Sequence, residues 1–354
     1  MTKNLNRRDF LRRSGAFAGG IITLSGQTRA RNDRVKIVVK RDLKGNPKET
    51  KYVDNRLYQA LLASDSDAVD RLIKRSEVNY VRINRSPSTP EDIRFLISIQ
   101  RGADEQQFPD RIGDFRTAFT HESVTKIGHG ESLEGELVTP VVGGVECGAS
   151  DDEAEGSICF VANDTSTDEY MIVSAEHVFQ INDSQYEAFE TSQYHADHLL
   201  HPQSGEKLGD YSRVDGPHDA IAYSHRSDAY DVVSADTYES IPDISGYWTW
   251  SGIEEQLSGG GRISDVQLCG VNDSYRLNDA VYSSRSASLD HQVTYESDRG
   301  EGGDSGGIWI DQYGDLVSMH NGYRTDFYGN QQDIGACGEK ILDGLDLYFL
   351  PLYV

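Results

Sequence analysis

The chain has 354 residues, with 34 Lys+Arg against 58 Asp+Glu, so its formal net charge is −24. That length fits one large domain or two modest ones. The charge argues against a nucleic-acid or anionic-membrane binder, since both need a cationic face, and no stretch is long and apolar enough for a transmembrane helix.

The first thirty residues read as an address. Asn6-Arg7-Arg8-Asp9-Phe10-Leu11-Arg12-Arg13 precedes a short, weakly apolar run from Gly15 to Ser25 and then Thr28-Arg29-Ala30. A basic start, a short apolar stretch and a small residue at the end make a secretory signal. Arg7-Arg8 followed by Phe10-Leu11 resembles a twin-arginine signal, which implies an extracellular protein exported already folded, with cleavage near Ala30 and no membrane attachment afterwards. Gly15, Gly19 and Gly20 speak against the competing reading, an amphipathic helix within the fold.

Residues 31–130 read as a small α/β region ending in a polar linker over 101–130. Val35–Val39 and Tyr80–Asn84 predict strands, and Asn55–Leu62 and Ala68–Lys74 predict helices. Ser88-Thr89-Pro90-Glu91 offers a hydroxyl cap, a proline and an acid, so Ile93–Ile99 is expected to be helical. The charge breaks here. Residues 1–130 carry 25 basic and 16 acidic residues, a net of +9, whereas 131–354 carry 9 and 42, a net of −33. The basic region fits an intramolecular pro-segment, with a permanent accessory domain as the alternative. A strongly acidic chain with only 10 Lys among its 34 basic residues fits a protein kept soluble in concentrated salt, as in a haloarchaeon. An ordinary acidic secreted protein is the plainer reading.

From about 137 the texture changes to short runs of Val, Ile, Tyr and Thr between Gly, Asp, Ser and Asn clusters. Leu137–Val142, Ser157–Ala162, Tyr170–Ser174, Ala220–Tyr223, Tyr247–Trp250, Val266–Cys269, Gly307–Ile310 and Leu316–Met319 predict an all-β barrel or sandwich. A helix over roughly 338–349 closes the chain. Cys147, Cys159, Cys269 and Cys337 all lie in this half, and an even number in an exported chain predicts two disulfides. Three pairings exist. Cys147–Cys159 with Cys269–Cys337 is preferred, because each pair then closes a loop within one part of the chain.

Gly302-Gly303-Asp304-Ser305-Gly306-Gly307 is the most specific feature. A nucleophilic serine needs a tight turn that exposes its oxygen, and backbone N–H groups that converge on an oxyanion; glycines permit both. The same residues satisfy G-x-S-x-G, but that fold places its acid and histidine after the serine. Only His320 follows Ser305, so the order fails. Upstream, Met171-Ile172-Val173-Ser174-Ala175-Glu176-His177-Val178 runs a strand into a histidine, and His218-Asp219-Ala220-Ile221-Ala222 starts a strand with an aspartate.

In this order the motifs resemble those of the chymotrypsin-like serine proteases over roughly 137–350. The resemblance implies two six-stranded antiparallel barrels, with Ser305 as nucleophile, His177 as general base, Asp219 as its orienting acid and the N–H groups of Gly303 and Ser305 as the oxyanion hole. It implies a serine endopeptidase acting on polypeptide substrates without a cofactor. A protease-like binding protein without turnover, or an esterase on the same triad, are the alternatives. Val178 stands where the family often has a cysteine, and the basic junction of zymogen activation is missing before Val141-Val142-Gly143-Gly144. Arg299, six before Ser305, would floor the specificity pocket. Ser318-Met319-His320-Asn321-Gly322 resembles a strand of glutamyl endopeptidases, so Arg299 and His320 are expected to receive an acidic side chain. His195-Ala196-Asp197-His198-Leu199-Leu200-His201 invites a metal reading, but it resembles a connecting segment of the family, and no catalytic metal is expected.

Overall fold

Strands, in which successive side chains point to opposite faces, make up most of the described residues. A computed structural model of the protein describes residues 34–86, 92–122, 141–149, 155–181, 194–200, 205, 207–225, 232–237, 242–270, 276–296, 303–325 and 330–349. The signal segment 1–30, the capping stretch Ser88–Glu91, residues 123–130 of the expected linker, Gly302, His201 and Arg299 lie outside the described residues.

The N-terminal region contains β1 (Arg34–Asp42), β2 (Pro47–Asp54), helices α1 (Asn55–Ser64) and α2 (Asp67–Ile73), and then β3 (Val78–Arg85), β4 (Ile93–Gln100), β5 (Arg111–Ile112) and β6 (Phe115–Glu122). Asp54 caps α1, accepting from the Leu57 N–H at 2.7 Å. β3, β4, β6 and β5 form one sheet in that order, with β4 and β6 parallel. Two expectations are corrected here. Ile93–Ile99 is strand β4, because Ile93, Phe95, Ile97 and Ile99 bury alternate side chains, a period of two rather than of 3.6. Residues 101–122 are not a linker: Phe108, Ile112 and Phe115 are buried and anchor β5 and β6.

β7 (Val141–Gly143), β8 (Glu146–Ala149), β9 (Glu155–Ser157), β10 (Phe160–Asp164), β11 (Tyr170–Ala175), β12 (Gln180–Ile181), β13 (Tyr194–His195), β14 (His198–Leu200), β15 (Lys207–Asp215), β16 (Ala220–His225) and β17 (Val232–Thr237) follow. Seven of them form a half-barrel sheet in the order β10-β11-β16-β15-β14-β8-β9, extended at the β10 edge by the C-terminal β25 (Leu347–Tyr348). β12 with β13, and β7 with β17, form two short pairs.

β18 (Gly246–Trp248) and helix α3 (Trp250–Leu257) lead into β19 (Ile263–Cys269), β20 (Arg276–Ser284), β21 (Gln292–Tyr295), β22 (Ile308–Ile310), β23 (Asp315–Thr325) and β24 (Gln331–Cys337). The order β23-β22-β19-β20-β21-β24 closes when β24 pairs back to β23, giving a six-stranded antiparallel barrel. A closed barrel beside a half-barrel, with few helices, is the chymotrypsin-like two-barrel fold. Helix α4 (Gly338–Gly344) is shorter than the expected 338–349 helix. It stops at Gly344, and Asp346 takes a left-handed φ of 51° before β25 begins.

The two expected disulfides are absent. None of the four cysteines is in a disulfide, and all four are buried. Cys147 Sγ faces Ser174 Oγ at 3.9 Å and Cys269 Sγ faces the Gly143 carbonyl at 4.0 Å. Cys269 and Cys337 belong to different core clusters, which parts the second expected pair. Burial pushes the Cys147 and Cys337 thiols up to about 12, so they behave as small apolar side chains.

The N-terminal region shares its core with the closed barrel. Leu57, Phe95 and Ile97 pack in one cluster with Trp250, Leu268, Val293 and Trp309. β1 adds to the barrel sheet through β18, with Lys40 opposite Trp248. Lys40 is 5% exposed, and its ammonium lies 2.7 Å from Asp311 and 3.1 Å from Asp315. Burial alone would lower its pKa, but the two carboxylates outweigh that and raise it.

Helices α1 and α3 meet at a second polar contact, where Ser64 Oγ donates to Glu254 Oε2 at 2.6 Å. Burial pushes the Glu254 carboxyl up to about 8, against a lowering by the Ser64 hydrogen bond. The folded state therefore keeps a proton that the unfolded chain releases near pH 4.5, and stability falls as pH rises from about 4.5 to about 8. Glu254→Gln should match the parent at pH 4 and exceed it by a few kcal/mol at pH 8 in urea unfolding; a difference independent of pH would contradict this.

Candidate active site

His177 follows β11 in a single 3₁₀ turn, Glu176–Phe179. Asp219 follows another, Gly216–His218, at the head of β16. β11 and β16 are antiparallel neighbours, with Ala175 opposite Ala220, so the two turns leave the same end of the sheet. His177 Nδ1 lies 2.6 Å from Asp219 Oδ2, and the His177 backbone N–H donates to Asp219 Oδ1 at 2.9 Å. The Glu176 N–H donates to the Asp219 carbonyl at 2.9 Å. Asp219 holds this position with a left-handed φ of 49°, uncommon for a residue with a side chain and tolerated by Asp.

Asn321 at the barrel strand β23 completes the carboxylate's surroundings. Its Nδ2 donates to Asp219 Oδ2 at 3.0 Å and to the Asp219 carbonyl at 3.2 Å. Its own Oδ1 accepts from the Ala336 N–H at 2.9 Å, which fixes the amide orientation. Burial raises the Asp219 pKa, yet the His177 charge and hydrogen bond, with those from Asn321 and the His177 N–H, hold it below the ordinary carboxylate value. Asp219 thus stays ionised and can accept the His177 Nδ1–H, an arrangement that turns Nε2 into the ring's acceptor.

Ser305 sits on a glycine turn that only glycines can form. Gly303 has φ 88° and Gly306 φ 90°, and a Cβ on Gly306 would stand 2.0 Å from the Ser157 carbonyl oxygen. Ser157 ties this turn to the half-barrel: its N–H donates to the Ser305 carbonyl at 2.7 Å and its Oγ to the Gly303 carbonyl at 2.8 Å. Ser174 Oγ donates to the Ser157 carbonyl at 2.7 Å, just before His177 in the chain. The Gly306 N–H donates to the His320 carbonyl at 2.8 Å, next to Asn321. A Cβ built on Gly156 would meet Val178 Cγ1 at 2.8 Å and the Ser305 carbonyl at 2.9 Å. The serine turn is therefore held to β9 through Ser157 and to β23 through His320, the neighbour of the Asn321 that bonds Asp219.

His320 is 1% exposed, and its Nδ1 accepts from Trp309 Nε1 at 3.3 Å. The His-rich segment is not assembled as a metal site among the described residues. His195 Nε2 meets Glu176 Oε1 at 2.9 Å, while His198 lies against Asp210 at 3.1 Å. Sequence reasoning missed two residues: Asn321, within the Ser318–Gly322 segment, and Ser157, which ends β9.

No family model matches the chain, and no curated protein is similar to it. Among solved structures, a glutamic-acid-specific serine protease, described as using a histidine triad in substrate binding, is 12% identical. It covers 59% of this chain and 100% of its own, with a TM-score of 0.42. Thermobifida fusca protease A is 14% identical over 59% of this chain and 98% of its own, with a TM-score of 0.39. An α-lytic protease homologue, N4, is 10% identical over the same shares, with a TM-score of 0.41. At such values the fold rests on the closed barrel and half-barrel themselves.

Asn321→Ala removes a neutral donor from a charged acceptor, a loss of about 1.5–3 kcal/mol. Because the Asp219 pKa is depressed, its contribution to stability is present above the ordinary carboxylate pKa and is lost as pH falls. The variant should raise the Asp219 midpoint in a carboxyl NMR titration and unfold at a higher pH in acid. An unchanged midpoint would remove Asn321 from the account.

Proposed function

We propose that the protein is an exported serine endopeptidase, routed by its twin-arginine signal, that hydrolyses peptide bonds through His177, Asp219 and Ser305. The observation that carries the reading is the 2.6 Å contact between His177 Nδ1 and Asp219 Oδ2, with the Ser305 turn tied beside it through Ser157. Ser305 Oγ attacks the scissile carbonyl carbon while His177 Nε2 takes its proton. The carbonyl oxygen becomes an oxyanion held by the N–H groups of Gly303 and Ser305, whose own carbonyls are turned onto Ser157. Collapse breaks the C–N bond, and His177 hands its proton to the leaving amine. Water, deprotonated by His177, then cleaves the acyl-enzyme ester and restores Ser305.

The substrate is a polypeptide, with an acidic side chain preferred next to the scissile bond. Trp309 Nε1 can only donate, so His320 Nδ1 accepts and a neutral ring carries its proton on Nε2, a donor suited to a carboxylate. Arg299 would add the charge. The N-terminal region acts as a permanent accessory body rather than a removed pro-segment, because its departure would strip Asp311 and Asp315 of the Lys40 cation.

Cleavage of an unstructured polypeptide in concentrated salt, with product ends mapped by mass spectrometry, tests the reading. The parent protein should cut after Glu or Asp at least tenfold faster than after Lys or Arg, and Ser305→Ala should lose roughly 10⁶ of the rate. Faster cleavage after basic residues would remove the acidic preference. Activity unchanged in Ser305→Ala would overturn the mechanism. A single full-length band in immunoblots of secreted, active protein would accord with the accessory role, and a shortened active form would reject it.

A further inference from the structure

The residue before Asp219 opens a second cluster that the proposed reaction does not use. His218 Nδ1 lies 2.6 Å from Asp215 Oδ2, and its Nε2 lies 2.9 Å from His291 Nδ1. His291 Nε2 lies 3.0 Å from Asp65 Oδ1. Asp290 Oδ1 is 3.5 Å from His291 Nδ1. His218, Asp290 and His291 are 7%, 8% and 5% exposed, and their ligand atoms lie within 4.8 Å of one another. Three parts of the chain meet here: Asp65 after α1, the Asp215–His218 turn of the half-barrel, and Asp290–His291 of the closed barrel.

Proton counting sets the constraint. An ionised carboxylate only accepts, so Asp215 takes the Nδ1–H of His218 and Asp65 takes the Nε2–H of His291. A neutral imidazole carries one N–H, which leaves lone pairs on both facing nitrogens, 2.9 Å apart. A cation between them removes the repulsion. Asp65, Asp70, Asp215 and Asp290 outnumber Arg285 and Lys340 around the pair, so the surroundings favour a cation there.

The donor set matches such an ion. The 2.9 Å between the facing nitrogens is near the roughly 3.3 Å edge of a tetrahedron with metal–nitrogen bonds of about 2.0 Å, and an Asp290 carboxylate oxygen lies within 4.8 Å of both. A carboxylate has about four acceptor sites. Arg285 Nε and the His291 backbone N–H take both sites on Asp290 Oδ1 and Arg285 Nη2 takes one on Oδ2, which leaves one on Oδ2. Both histidines already have the outer carboxylate partners that orient metal-bound imidazoles. Asp65 is 44% exposed and connects the cluster to solvent.

We propose that His218 Nε2, His291 Nδ1 and the Asp290 carboxylate form a structural site for a zinc-class transition-metal dication, which clamps the N-terminal region and the two β-sheets together. Imidazole with carboxylate selects zinc, cobalt or nickel over calcium. The site would be structural.

The full chain, stripped with a chelator, should take up one equivalent of Zn²⁺ in calorimetry, with a dissociation constant below micromolar. Its melting temperature should rise with added zinc, and Co²⁺ on the unaltered protein should give the intense visible absorption of a tetrahedral nitrogen–oxygen site. His218→Gln and His291→Gln should each weaken zinc binding at least a hundredfold. Absence of one-equivalent binding and of the cobalt bands in the unaltered protein would overturn the site. So would full zinc affinity in folded His291→Gln, which would place the ion elsewhere.

Discussion

The site depends on keeping one carboxylate both buried and charged. Removing Asp219 from water costs several kcal/mol unless its oxygens are matched by donors. The fold supplies three from two elements: the His177 ring, the His177 backbone N–H and Asn321. Two of these come from the turn after β11 and one from β23, so the half-barrel and the closed barrel must be docked for the charge to be satisfied. The cost of burying Asp219 therefore ties the turn after β11 to strand β23.

The same logic operates at the seam between the N-terminal region and the closed barrel. Lys40 sits between Asp311 and Asp315, and Arg285 bridges Asp290 and Asp70 while donating to the Ser64 carbonyl. Buried ion pairs add little net stability, but removing one partner leaves an uncompensated charge worth about 3–5 kcal/mol. Such contacts specify how the N-terminal region seats. His218 and His291 extend this buried network to within one residue of Asp219, so the seam and the candidate active site are parts of one continuous polar core.

The half-barrel strands and the three motif segments were legible because their signals are local. Tyr170–Ser174 and Ala220–Tyr223 are short apolar runs, and the glycine turn around Ser305 is dictated by positive φ at Gly303 and Gly306. What stayed hidden was set by partners distant in sequence. Ile93–Ile99 carries apolar residues at spacings two and four alike, and pairing with β3 and β6 decides for the strand. Asn321 reads as an ordinary strand residue until β16 brings Asp219 to it. The cysteines suggested bridges by count and spacing, yet Cys269 and Cys337 fall in different clusters. The His218–His291 pair is separated by 73 residues and carries no motif.

The proposed mechanism requires Asp219, His177 and Ser305 to act as one unit in which His177 activates the serine. Reaction of the folded protein with a fluorophosphonate, followed by peptide mapping, tests this most directly. A single stoichiometric adduct on Ser305, formed at least 10³-fold more slowly in folded His177→Ala, is the expected result. An adduct on another residue, or labelling of Ser305 at an undiminished rate without His177, would contradict the account.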